Sequence, residues 1–447
     1  MGWMGILRLG LVQTSLGAII ILTTSTLNRV MVVELALPAM LPGALVALHH
    51  MVQVLRPRWG YGSDMGGRRT PWIVGGMAVL ALGGITASAA TAWMAQSPTA
   101  GTALAFLGFV LIGVGVGACG TSLLVLLAKR VDESRRAAAA TTVWLMMIFG
   151  FVVTAGVAGH FLDPFSPARL VAVTSTVAIA AFVVTLFAVR GVEGAAEPVT
   201  APSPTPADRS TPGFREAMIQ VWSEDRARRF AIFVFVSMLA YSAQDLILEP
   251  FAGAVFGLTP GESTKLAGVQ NAGVLVGMIV LAVLGSRAWG RRFGSLQAWT
   301  VRGCLASASA LLALALGGFL APDWPLHLTV FLLGLSNGIF AVAAIGSMMG
   351  LVAAGRERRE GVRMGLWGAA QAVAFGLGGF LGTAAIDLTR SLMASPVPAY
   401  ALVFAGEALM FLVSAGLAVW VTRPTGSEST ETRFSTDAEP LTDMRAP

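Results

Sequence analysis

Gly60-Tyr61-Gly62-Ser63-Asp64-Met65-Gly66-Gly67-Arg68-Arg69 is a short polar stretch caught between two apolar runs, and its reading decides the fold. Four glycines within eight residues let the chain reverse tightly. Asp64 is placed to sit near the positive N-terminal end of the helix that follows, and Pro71 suits the first turn of that helix. The paired arginines hold one side of a membrane. The stretch reads as a hairpin joining two membrane-crossing helices.

Composition carries that reading outward over the whole chain. Of 447 residues, 55% are hydrophobic and 12% are charged, with a mean hydropathy of +0.74. A soluble domain carries about 25% charged residues, so most side chains here face something other than water. Cys119 and Cys304 both lie inside apolar runs, which excludes a disulfide framework or a metal knuckle. The net charge of +6 is built from two lysines and twenty-eight arginines that fall between apolar segments. It therefore reports membrane topology rather than nucleic-acid binding. The first apolar run has full spanning length and lacks a small-residue cleavage site, so it is expected to stay in the membrane as helix 1.

About 20 apolar residues cross a bilayer as a helix. Runs of that order lie near 9–27, 36–55, 72–94, 102–127, 138–161 and 169–189, then near 230–249, 265–284, 297–320, 327–353, 364–386 and 399–421. The expected protein is all-α, with twelve transmembrane helices in two six-helix halves, residues 1–190 and 230–422. Between them, 191–229 carries Glu197-Pro-Val-Thr-Ala-Pro-Ser-Pro-Thr-Pro and reads as a linker. Phe214, Met218, Val221 and Trp222 recur there at helical spacing, as a short surface helix or an ordinary linker turn. The polar tail 423–447 reads as disordered. Arg29, Arg169, Lys265 and Arg390 are the only basic residues in the odd-numbered loops or at their helix ends, which predicts that both termini and the linker are cytoplasmic.

Polar residues inside spans are costly and are functional candidates by default. Glu407 falls near the middle of helix 12, Gln371 in helix 11, and Gln270 and Asn271 in helix 8. Gln244, Asp245 and Glu249 approach the far end of helix 7, just before Pro250. Asn28, Arg29 and Glu34 surround the connection of helices 1 and 2, where Arg29 and Glu34 either pair with each other or join Gln244, Asp245 and Glu249 in a periplasmic polar cluster. His49 and His50 lie within helix 2. A neutral imidazole can ligate a metal, including a chlorin's magnesium, or can hydrogen-bond a neighbouring helix. Helices 1, 4 and 5 carry no acid or base at midplane, and Glu407 alone is a thin basis for proton coupling. Gly113/Gly117 and Gly378/Gly382 read as seams of close helix packing. The basic loops Lys129–Arg136 and Arg356–Arg363 read as cytoplasmic ion-pair collars or as docking surfaces for a partner.

At every anchoring position, Gly60, Asp64, Gly67, Arg68 and Arg69 match the G-x-x-x-D-x-x-G-R-R/K signature of major-facilitator proteins, and the chain resembles that superfamily. Gly285–Arg292 occupies the equivalent loop of the second half, with its glycines and arginines but no acid. The resemblance implies the major-facilitator fold and a gating role for the hairpin. Three further stretches, Thr26–Ala39, Gln244–Phe251 and Trp367–Gly379, are similar to the PucC family, a branch of that superfamily found with photosynthetic apparatus. Within it, Pro42–His50 and Arg56–Asp64 look most like a branch labelled as a bacteriochlorophyll synthase chain.

That resemblance implies a photosynthetic inner-membrane protein that handles bacteriochlorophyll or a precursor. Its implied partners are pigment synthase and antenna or reaction-centre polypeptides. Bacteriochlorophyll would be a bound ligand, and no cofactor or metal is required. His49, His50, Gln371 and Glu407 are the candidate pigment or ligand contacts. No Asp-rich prenyl-diphosphate motif or nucleotide loop is present, so no catalytic residue is assigned. A transporter of a small amphiphile or tetrapyrrole by alternating access is the alternative.

Overall fold

The computed structural model describes residues 1–53, 68–194, 222–284, 294–353 and 360–421. Its first half holds α1 (Trp3–Glu34), α2 (Met40–Val52), α3 (Thr70–Met94), α4 (Pro98–Arg130), α5 (Arg136–Leu162) and α6 (Pro167–Val189). The second holds α7 (Asp225–Phe256), α8 (Pro260–Leu284), α9 (Leu296–Leu320), α10 (Leu326–Ala353), α11 (Glu360–Leu392) and α12 (Pro396–Val421). Among the described residues eleven of these are long and apolar enough to span a bilayer, and α2 is the shorter one. With no water in the hydrocarbon, each segment satisfies its backbone internally, which a helix does. Local signals set the ends. Pro98 and Pro167 open α4 and α6, and the Ser166 and Ser295 hydroxyls accept the N–H of Arg169 (3.1 Å) and Ala298 (3.2 Å). Gly257, at φ +70°, ends α7 in the left-handed conformation.

In the first half α1 packs on α5 and α6, α3 on α4 and α6, and α2 on α4. In the second, α7 packs on α11 and α12, α8 on α10, and α9 on α10 and α12. Each half has its own apolar core, one centred on residues such as Leu16, Leu80 and Phe109, the other on Phe251, Phe340 and Phe404. The halves meet along two seams, α2 with α11 and α5 with α8. Both seams need glycine. A Cβ on Gly43 would lie 2.0 Å from the Thr383 hydroxyl, and one on Gly159 would lie 2.6 Å from the Gly261 carbonyl. Gly113 and Gly378, expected at packing seams, admit α2 and α7 in the same way, with a Cβ 2.8 Å from the His49 carbonyl and 2.0 Å from the Ser242 hydroxyl.

Helix α1 departs from its expected bounds. It does not stop near residue 27 but runs through Asn28 and Arg29 to Glu34, with wide π-helical turns at Leu22–Thr26 and Val30–Glu34. Asn28 and Arg29 mimic a loop by polarity. They are helical and buried because their partners lie in the other half.

At the end carrying the termini, Glu193 folds back on the start of α3. Its carboxylate accepts the N–H groups of Arg69 and Thr70 and the Thr70 hydroxyl (2.6 Å). Burial pushes this carboxyl up. The bonds from Thr70 and from the Arg69 and Thr70 backbone, with Arg68 nearby, outweigh it and hold the group below the usual glutamate range. Of the hairpin signature, Gly60, Asp64 and Gly67 lie outside the described residues, as do Gly285–Arg292, most of the expected linker and the tail. In the loop after α4, Asp132 pairs with Arg135.

Candidate functional site between the two halves

Pro250 sits inside α7 and has no N–H to give the Leu246 carbonyl four residues back. Asn28 of α1 supplies the missing donor from the opposite half, its side-chain amide 2.7 Å from that oxygen. The neighbouring Arg29 is 2% exposed, pairs with Glu34 of its own helix, and donates to the Leu258 carbonyl just beyond α7 at 2.5 Å. Its guanidinium lies on Gly253, where a Cβ would approach within 2.9 Å. Thr26 and Thr264 share a hydrogen bond of 2.9 Å between α1 and α8. Glu249, 2% exposed and within the electrostatic reach of Arg29, has no hydrogen-bond partner for either carboxylate oxygen.

Two further bonds close the same end. The Asp387 carboxylate on α11 accepts the N–H of Ala39 (2.8 Å) and Met40 (2.7 Å), capping α2. The Asp163 carboxylate after α5 accepts the Thr259 hydroxyl (2.8 Å) and the Gly261 N–H (3.2 Å) at the start of α8. Every hydrogen bond between side chains of one half and groups of the other described here lies at this end, remote from the termini. Among the described residues, the side-chain links between the halves gather at this end.

Asp245 lies on α7 one turn before Glu249. It is exposed, yet Tyr241, Gln270 of α8 and Glu407 of α12 lie within its electrostatic or hydrogen-bonding reach. Glu407 is 3% exposed, and neither of its carboxylate oxygens has a hydrogen-bond partner. Gln244 is buried on α7 beside Asp245. The six residues expected as a single cluster thus divide. Asn28, Arg29, Glu34 and Glu249 belong to the closed end, and Asp245, with Gln244 beside it, falls within reach of Glu407.

The two histidines divide as well. His49 is buried, within 3.0 Å of the Gln53 amide on its own helix. His50 turns to the α2–α11 seam, its ring 5.8 Å from Phe375, which is 5.9 Å from Tyr241 of α7. An imidazole, a phenyl ring and a phenol from three helices therefore follow one another along the seam. Gln371, one turn before Phe375, is half-buried with its amide 3.9 Å from the Met238 sulfur.

Sequence reasoning missed Asp387 and the role of Pro250. Asp387 reads as a helix-end acid. Pro250 carries its signal openly, because a proline inside a spanning helix always leaves a carbonyl four residues back in need of a donor.

A protein-family model described as PUCC protein matches residues 26–426. The chain is 52% identical over 427 residues to the bacteriochlorophyll synthase 44.5 kDa chain of Rhodobacter capsulatus, covering 96% of this chain and 97% of that one. It is 31% identical over 444 residues to Protein PucC of the same organism, covering 93% and 91%. Among solved structures it resembles the nucleoside transporter NupG (TM-score 0.65, 12% identity, covering 94% of this chain and 100% of that one). It also resembles the peptide transporter POT in complex with sulfate (TM-score 0.69, 14% identity, 94% and 96%). At such identities the likeness is one of fold.

Proposed function

Because the chain belongs to the PUCC protein family, we propose that it handles bacteriochlorophyll or a close precursor in a photosynthetic membrane, passing pigment toward antenna or reaction-centre polypeptides. The name of the Rhodobacter capsulatus relative ties that protein to bacteriochlorophyll synthesis, and the similarity extends over nearly the whole of both chains. The observation that carries the proposal is the line of His50, Phe375 and Tyr241 along the seam between the halves. Aromatic faces suit a flat macrocycle, and an imidazole suits its magnesium. His50 is the magnesium ligand in this reading, with Gln371 and Phe375 beside it. The protein acts without chemistry of its own, as a partner of pigment synthase, with both termini on the cytoplasmic side.

The test is titration of purified protein with bacteriochlorophyll in mild detergent, followed by absorption. Wild type is expected to shift the pigment band, and His50→Phe to weaken that shift more than His49→Phe. Equal titrations for all three proteins would remove His50 from the account.

A second reading, transport of a small amphiphile or tetrapyrrole by alternating access, is favoured by the gathering, among the described residues, of the side-chain links between the halves at one end. Cross-linking that end while pigment delivery continues would count against it.

A further inference from the structure

Asp245 and Glu407 stand at one depth in the second half. Asp245 lies eleven residues before the end of α7, and Glu407 eleven residues after the start of α12. The two helices are packed neighbours and antiparallel. At 1.5 Å per residue, each carboxyl is about 16 Å from the closed end. That depth is the middle of the span.

Their surroundings differ in a way that matters. Asp245 is exposed, with Gln270 of α8 within its hydrogen-bonding reach. Glu407 is buried, with neither carboxylate oxygen bonded to a donor. Packed against α12 are α7, α9 and α11. From α7 the ionisable groups are Asp245 itself, Tyr241 beside it, Glu249 one turn along, which feels Arg29, and at the opposite end Asp225 with Arg228 and Arg229, the last stacking on Trp420 of α12 and donating to its carbonyl. From α9 they are the buried thiol of Cys304 and Arg302, which stacks on Trp299 toward the opposite end. From the described side chains of α11 they are Asp387 and Arg390, which reach Tyr400 at the closed end. The charged group that acts on Glu407 is Asp245. No cation among these groups is placed to pair with Glu407.

A carboxylate buried without a donor or a cation must take up a proton or a positive charge. Two carboxylates facing each other without a cation resist ionising together. We propose that Asp245 and Glu407 form a proton-binding site in the second half, with Asp245 the exposed acceptor and Glu407 the buried store. The proton comes from water at the exposed Asp245 and leaves by the same route, so no other reactant is needed. This site gives the α7–α12 pair a charge that changes with proton supply, whatever cargo the space between the halves carries. It stands apart from the pigment reading, and neither depends on the other.

The test uses the full chain in mild detergent and N,N′-dicyclohexylcarbodiimide, which adds to carboxyl groups that carry a proton in apolar surroundings. Adducts are mapped by peptide mass spectrometry over a series from mildly acid to mildly alkaline pH. The expected result is an adduct on Glu407 that declines as pH rises and is absent from Glu407→Gln. In Asp245→Asn the decline should move to lower pH, because the neighbouring negative charge has gone. Absence of a Glu407 adduct throughout the series, while other carboxyls react, would overturn the proposal. So would an unchanged pH profile in Asp245→Asn. The wild-type map decides the first point without either variant. If Asp245→Asn fails to fold, Asp245→Ser serves for the second.

Discussion

The side-chain amide of Asn28 and the carbonyl of Leu246 are joined at 2.7 Å across the two halves, at the carbonyl that Pro250 leaves without a helical donor. The geometry makes the two substitutions interdependent. In Asn28→Leu the buried carbonyl loses its partner, a cost of about 1–3 kcal/mol. In Pro250→Ala the helix regains its own N–H, so Asn28 is no longer needed there. A double-mutant cycle read by thermal unfolding should therefore show Asn28→Leu costing less in the Pro250→Ala background. Additive effects would mean that the proline and the asparagine are unrelated.

Asp387 caps α2 from α11 through two backbone N–H groups. Asp387→Ala should cost about 0.5–2 kcal/mol and loosen the α2–α11 seam. Cysteines placed near Ala39 should then become more reactive toward an impermeant thiol reagent. Unchanged stability and labelling would show that the cap is not what holds this end.

Glu193 provides a pH dependence outside the membrane. Its carboxyl is held below the ordinary range, so the ionised cap contributes stability fully above the unfolded glutamate value, about 4.3. That contribution is lost as pH falls through the lowered folded value. Glu193→Gln should flatten the acid side of the stability profile and lower stability most above the unfolded glutamate value. Parallel profiles for wild type and variant would contradict this.

The glycine seams predict a contrast on neighbouring helices. A Cβ on Gly378 would meet the Ser242 hydroxyl at 2.0 Å and the Leu239 carbonyl at 2.5 Å, whereas Gly406 on α12 has nothing within 4 Å. Gly378→Ala should destabilise by about 1–3 kcal/mol through overpacking, and Gly406→Ala should be tolerated. Detergent-melting curves measure both.

Much of this was legible in the sequence, because spanning helices announce themselves by length and apolarity. The two six-helix halves and the packing at Gly113 and Gly378 follow from residue type and spacing alone, and of the two readings left open for Arg29 and Glu34 the structure shows their pairing. The end of α1 was not legible. Buried polar residues satisfied by a distant segment look locally like loop residues, and Asn28 and Arg29 find Leu246 and Leu258 more than 200 positions away. For the same reason Asp245 could not be assigned to Glu407 rather than to Glu249: along one helix the residues are close in sequence, and only the packing of α12 separates them.

The most direct test of the central claim is the absorption spectrum of the tagged protein, purified in mild detergent from photosynthetically grown cells, with its co-purifying polypeptides identified. The account predicts bacteriochlorophyll in stoichiometric amount, reduced in His50→Phe, with pigment synthase or antenna polypeptides alongside. Colourless, partner-free protein from well-pigmented membranes would contradict it.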